Sequence, residues 1–213
     1  MPKTALIVAD APGLVLEHYH PHLAADLVIA ADGGARHLLS ANRLPDLVVG
    51  DFDSLEPHLL GLLEQDGVRI ERHPVHKDET DLELALLRAV EMGAHEITIL
   101  GALGGRPDQH LANLQLLTHP ALRGRAVRLI DERWHIIVIH DEATLHGAAG
   151  DIVSLLPMTE RVEGIRTQGL YYPLNHEALA LGPARGVSNK LLDTTATIHI
   201  RTGILLAMHE RGA

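Results

Sequence analysis

The chain opens on an apolar run, Thr4 to Ala9, that stops at an aspartate. The same arrangement recurs where Leu27 to Ala31 meets Asp32 and where Leu47 to Val49 precedes Asp51. Runs this short and this continuously apolar read as strands buried on both faces, as in a parallel sheet. Between them Gly33 to Ser40 and Leu55 to Leu63 are expected helices, and Val68 to Glu71 a further strand. The strongest helical periodicity runs from about Thr80 to Met92, where Leu82, Leu86, Ala89 and Val90 share a face and Gly93 supplies the stop. Ile97 to Leu100 then reads as a strand, followed by a glycine turn and a helix from about Asp108 to Leu117 that Pro120 closes.

After Arg125 the pattern changes. Val127 to Ile130, His135 to His140, Ile152 to Leu156, Thr197 to Ile200 and Ile204 to Met208 are short extended runs between turns, and helical signals nearly vanish. The expected fold class is therefore α/β. An N-terminal open, mostly parallel sheet with flanking helices occupies residues 1–130, and a smaller, mostly antiparallel β-sandwich or barrel follows over 131–213. Ligands of such a parallel sheet gather beyond the carboxyl ends of its strands.

Composition narrows the chemistry. Hydrophobic residues make up 46% of the 213, enough for a real core, but aromatics are only 2%, so aliphatic side chains fill it and few rings remain for binding. A formal net charge of −10 argues against wrapping nucleic acid. No apolar run reaches the roughly 18 residues of a membrane span and no basic-apolar leader opens the chain, so a soluble cytoplasmic protein is expected. The absence of cysteine excludes disulfides, thiolate metal sites and a cysteine nucleophile. Sixteen histidines are dispersed without a zinc-like pattern.

Three polar clusters stand where apolar segments end. Asp51 and Asp53 have the i, i+2 spacing that places two carboxylates on one side of an extended backbone, where they can share a magnesium ion; Ser54 then contacts phosphate or starts the next helix. The alternative is capping plus solvation. In Lys77-Asp78-Glu79-Thr80-Asp81 the two aspartates occupy one face of a helix start. A purely structural account makes Asp78 the N-cap and Asp81 the acidic partner of a capping-box-like turn, leaving Lys77 unexplained. Beside a triphosphate, Lys77 neutralises oxygen charge and both aspartates complete the metal shell. In Gly101 to Asp108, three glycines and Arg106 can cradle phosphate, with Asp108 capping the helix or ordering water and Asn113 near the ligand. This loop is neither a P-loop nor a dinucleotide fingerprint. Asp32-Gly33-Gly34 offers a fourth strand-to-helix turn, which either holds nucleotide or permits close packing.

Together Asp32-Gly33-Gly34, Gly50 to Ser54, Lys77 to Asp81 with Glu83, Gly104 to Asp108, Ala112-Asn113 and Gly186-Val187-Ser188-Asn189 resemble the thiamine pyrophosphokinase family over nearly the full chain. The resemblance implies ATP as cosubstrate, Mg2+, and a homodimer whose second domain helps bind thiamine near the subunit interface. It implies Asp51, Asp53, Asp78 and Asp81 as the acidic metal and triphosphate network, with Lys77 and Arg106 on phosphate. Thr80 joins the nucleotide-binding set, Asp108 and Asn113 are further site residues, and Ser188 with Asn189 contacts thiamine. Asp108-Gln109-His110 departs from the family's frequent Asp-His pair, and Gln109 cannot move a proton. His110 reads as a surface or capping residue. Trp134 and Tyr171 are the candidates for stacking on thiamine. The expected reaction is attack of the thiamine hydroxyl on the β-phosphorus of ATP, giving thiamine diphosphate and AMP, with Asp78 or Asp81 orienting the hydroxyl. A magnesium-dependent phosphohydrolase and a non-enzymatic nucleotide or thiamine sensor are the competing readings.

Overall fold

A computed structural model describes residues 3–212. It divides into two compact units, the first ending at Val127 and the second beginning at Arg128.

In the first unit β1 (Thr4–Val8), β2 (Leu27–Ala31), β3 (Leu47–Gly50), β4 (Arg69–Arg72) and β5 (Glu96–Leu100) form a parallel sheet in the order β5-β1-β2-β3-β4. Leu6, Ile7, Val8 and Ile29 have no exposed surface, as continuous apolar runs covered on both faces require. The crossovers are α1 (Gly34–Ser40), α2 (Pro57–Gln65) and α3 (Asp81–Glu91), and α4 (Pro107–Leu116) follows β5. A nine-residue 3-10 segment, Leu16–Ala24, also crosses between β1 and β2; its Pro21 hid it from periodicity. Helix α3 buries Leu82, Leu86 and Ala89 as expected from spacing, with Ala85 in place of Val90, which is half-buried. Its N-cap is Thr80, whose Oγ1 accepts the Glu83 N–H at 3.2 Å. The structural alternative with Asp78 as cap is therefore corrected: the Thr-x-x-Glu spacing wins, and Asp81 sits in the first turn, where its charge suits the helix dipole.

The second unit holds two antiparallel sheets. In one, β6 (Ala126–Ile130), β7 (Trp134–Ile139), β14 (Leu205–Glu210), β9 (Ile152–Pro157) and β12 (Asn189–Lys190) lie in that order. In the other the order is β11 (Asn175–Ala180), β10 (Arg161–Gln168), β13 (Thr195–His199), β8 (Glu142–His146). Ile139, Val153, Leu155 and Leu205 of the first sheet share one apolar core with Val162, Ile165, Leu179 and Ile198 of the second, so the unit is a sandwich.

One ionic contact inside it is almost fully buried: His209 Nε2 lies 3.0 Å from Asp151 Oδ2, which also accepts the Ala148 N–H at 2.9 Å, while Oδ1 accepts the Gly212 N–H at 3.1 Å. Burial opposes ionisation of Asp151, but these donors outweigh it and hold its carboxyl below the usual aspartate range. A lowered folded pKa contributes stability that is complete above the unfolded value of about 3.9 and disappears as pH falls through the folded value. Asp151→Asn should therefore be less stable than wild type at pH 7, with the difference shrinking below about pH 4. Urea midpoints measured across that range check this; a difference constant with pH would refute it.

Candidate active site

Because β1, β2, β3 and β5 run parallel, their carboxyl ends open on one edge, and the loops that leave them line a cleft of about 470 Å³. Asp32, Ser54, Thr80, Asp81, Arg106 and Asn113 all line it, together with Asp10 and Gln109.

Asp32 turns the chain out of β2. Its φ of 45° is left-handed, a conformation aspartate tolerates better than most residues, and its N–H bonds to Val49 O at 2.8 Å. The residue is 7% exposed, and Oδ1 is buried without a hydrogen-bond partner. Burial pushes this carboxyl above its ordinary pKa, and the charges of Asp81 and Asp51 push the same way. Gly50 permits the close approach of the two strand ends, since a Cβ there would lie 3.0 Å from the Asp32 Cβ.

The next loop does not run extended through Asp51 and Asp53, as the i, i+2 argument assumed. Phe52 takes a φ of 64°, its ring is buried with the Arg72 guanidinium 4.8 Å from the centroid, and Asp51 Oδ1 accepts the Asp53 N–H at 3.1 Å. A local turn held by the aspartate side chain thus replaces the strand. It still converges: one oxygen from each of Asp32, Asp51 and Asp53 lies within 4.8 Å of the others. Three hard oxygen donors, one of them buried and unpartnered, fit a divalent cation such as magnesium.

Lys77 serves two carboxylates, with Nζ 3.2 Å from Asp51 Oδ2 and 3.1 Å from Asp81 Oδ1. Burial opposes charge on both Asp51 and Lys77. At Asp51 the Asp53 N–H and Lys77 outweigh it and hold the pKa below normal; at Lys77 the two aspartates hold the pKa above normal. Asp78 is exposed in the preceding turn and stands outside the three-aspartate group.

At the glycine turn, Gly104 and Gly105 have φ of 102° and 85°. The Gly104 N–H donates to His110 Nε2, so His110 ties α4 back to its own loop. Buried Asn113 does the same from the next turn, donating to Ala102 O at 2.8 Å. Arg106 and Asp108 form a two-point pair at 3.1 and 2.5 Å, which holds Asp108 below the usual carboxylate range. Gly33 and Gly34 pack against the end of β1, where added Cβ atoms would overlap Asp10 Oδ2 and Val8 O respectively.

Sequence reasoning overlooked Asp10 and Arg36. Asp10 lies 3.3 Å from Arg36 Nε and 3.2 Å from His37 Nε2. Its signal was available, since it follows β1 as Asp32 follows β2. In the second unit, Ser188 has a φ of 62° and donates its N–H to Ser154 Oγ at 3.1 Å. Buried Asn189 clasps Tyr172, accepting its N–H at 3.0 Å and donating to its carbonyl at 2.8 Å. The rings of Tyr171 and Tyr172, 60% and 65% exposed, meet edge-on at 4.8 Å. Trp134 is half-buried in β7, opposite Glu210.

A parallel sheet whose strand ends gather carboxylates, a lysine and a glycine turn defines an α/β protein built to handle phosphorylated ligands, here joined to a β-sandwich. The description "Thiamin pyrophosphokinase, catalytic domain" matches residues 21–129, and "Thiamin pyrophosphokinase, vitamin B1 binding domain" matches residues 135–205. The chain belongs to the thiamine pyrophosphokinase family. It is 31% identical to the thiamine pyrophosphokinase of Bacillus subtilis over 96% of this chain and 93% of that one. The crystal structure of thiamine pyrophosphokinase from Bacillus subtilis superimposes with a TM-score of 0.87, covering 99% of this chain and all of the other at 31% identity. The Geobacillus thermodenitrificans thiamin pyrophosphokinase structure gives 0.83 at 29% identity, covering 99% and 98%.

Proposed function

We infer that this chain transfers the pyrophosphoryl group of ATP to the hydroxyl of thiamine, yielding thiamine diphosphate and AMP. The observation that carries this is the convergence of Asp32, Asp51 and Asp53, with Lys77 alongside, in a chain of this family. The hydroxyl oxygen bonds to the β-phosphorus, the bond from that phosphorus to the α–β bridging oxygen breaks, and the hydroxyl proton leaves with the products. The phosphohydrolase and sensor readings are not favoured.

Asp32, Asp51 and Asp53 would hold magnesium, whose chemistry when bound is to neutralise phosphate oxygens. Lys77, held charged beside Asp51 and Asp81, would neutralise oxygen charge on the triphosphate. Arg106 exchanges Asp108 for a phosphate oxygen, a swap its exposure allows. Asp81 keeps Lys77 in place, Thr80 caps the helix below it, and Asn113 fixes the glycine turn through Ala102 O. Ser54 Oγ donates to Asp53 Oδ1 at 2.9 Å and so orients that ligand. Asp78 or Asp81 is the carboxylate assigned to the incoming hydroxyl, and Asp108 is a further site residue. Ser188 and Asn189 serve thiamine, the latter by holding Tyr172, whose ring with that of Tyr171 is the aromatic surface offered to it. The enzyme works as a homodimer in the cytoplasm on this reading. Among the described residues no helix is long and apolar enough to cross a membrane.

The test is product-resolved: ATP plus thiamine should give equal AMP and thiamine diphosphate, whereas thiamine-independent phosphate release would refute the transfer. Asn189→Ala should raise the KM for thiamine by about tenfold, the loss of roughly one charge-free clasp of two hydrogen bonds, and leave the KM for ATP unchanged. Equal changes in both constants would remove Asn189 from the thiamine site.

A further inference from the structure

Asp32, which lines the cleft, and its neighbours Asp51 and Asp53 sit on two separate loops whose charges repel, so their spacing needs a brace. Lys77 neutralises Asp51 directly but touches neither the Asp32 turn nor the Ser54 end of the next loop. Arg36, in α1, reaches both. Its Nε donates to Gly33 O at 3.2 Å and its Nη2 donates to Ser54 O. Gly33 is the residue after Asp32, and Ser54 the residue after Asp53. The same guanidinium lies 3.3 Å from Asp10 Oδ1 at the end of β1 and 3.4 Å from Glu56 Oε1 at the start of α2. His37 Nε2 lies 3.2 Å from the same Asp10 oxygen.

An ordinary surface ion pair would join side chains and contribute little. Here the planar fork spans two backbone carbonyls, each next to a candidate metal ligand, from a side chain only 32% exposed. A lysine offers a point charge on a flexible stem and cannot bridge both carbonyls at once.

We infer that Arg36 is a positioning residue that sets the distance between Asp32 and the Asp51–Asp53 loop, and through it the affinity of the three-aspartate group for a divalent cation. This rests on the reading of the three aspartates as the cation site. Arg36 touches no reacting atom; it acts through the two carbonyls it ties together.

The experiment compares full-length wild type, Arg36→Met, Arg36→Lys and Asp51→Asn. Mn2+ alone is titrated calorimetrically into each metal-free protein, and turnover is measured against Mg2+ with ATP and thiamine saturating. Arg36→Met should weaken Mn2+ binding about 10- to 100-fold, as loss of a residue orienting metal ligands does. Arg36→Lys should fall between Arg36→Met and wild type. The Mg2+ needed for half-maximal rate should rise in parallel, with kcat at saturating Mg2+ held within about threefold, the pattern of lost binding rather than lost transition-state contact. Wild-type Mn2+ affinity in both Arg36 variants, with binding lost in Asp51→Asn, would overturn the positioning role alone. Unchanged binding in Asp51→Asn would overturn the cation site and this role with it. A fall in kcat at unchanged metal affinity also refutes it, since Arg36 would then act on ATP. Should Arg36→Met fail to fold, Arg36→Lys decides by the same criteria.

Discussion

Asp51→Asn is expected to lower pyrophosphoryl transfer by about 10²- to 10³-fold at saturating Mg2+, the loss of a few kcal/mol of charge stabilisation. The amide retains an oxygen able to accept the Asp53 N–H, so the turn around Phe52 survives. What disappears is the negative charge, and with it two functions. The cluster with Asp32 and Asp53 loses a third of its anionic ligands, and among the described residues Lys77 keeps Asp81 as its ionic partner. Steady-state rates of thiamine diphosphate formation, with circular dichroism to confirm the fold, provide the measurement. Wild-type turnover at limiting Mg2+ would remove Asp51 from the metal site.

Gly34→Ala should destabilise the first unit by about 3 kcal/mol or more, the upper end for overpacking a closed interior. The added carbon would stand 2.7 Å from Val8 C and closer still to Val8 O. Neither atom can yield cheaply, because β1 is a buried inner strand bonded on both sides. Gly61 supplies the contrast. It lies inside α2 with open space for 4 Å around the place a Cβ would take, so Gly61→Ala should stabilise by up to about 1 kcal/mol through helix propensity. Urea unfolding of both variants measures the opposed signs; a Gly34→Ala midpoint equal to wild type would show that β1 and α1 separate more easily than the packing implies.

The first unit was legible because β1, β2, β3 and β5 are mostly apolar runs that stop at or within two residues of an aspartate or glycine, and β2 matches the expected residues at both ends; β4, Arg69-Ile70-Glu71-Arg72, lacks that pattern. The sandwich was half legible. Strands β8, β10, β11 and β12 escaped because each carries few apolar residues. In β10, Gly164 takes a φ of 66° and the register with β11 shifts on either side of Ile165, which breaks the period of two. At the site, sequence spacing located Asp32, Asp51, Asp53, Asp81 and Lys77 but could not say which carboxylates converge. That depends on the left-handed turns at Asp32 and Phe52, and on the pairing of Lys77 with Asp81 across one helical turn. Arg36 escaped because only one of its acceptors, Gly33 O, is local; the other, Ser54 O, lies 18 residues on and is brought near by the parallel pairing of β2 and β3.

The distribution of rings has an optical consequence. The single indole, Trp134, lies in β7 of the sandwich, while the first unit contains Tyr19 but no tryptophan. Fluorescence excited at the red edge of indole absorption therefore reports on the sandwich alone, and far-ultraviolet dichroism of the four α-helices reports on the other unit. Recorded together during one unfolding experiment, the two signals show whether the halves of this chain come apart in one step or in sequence.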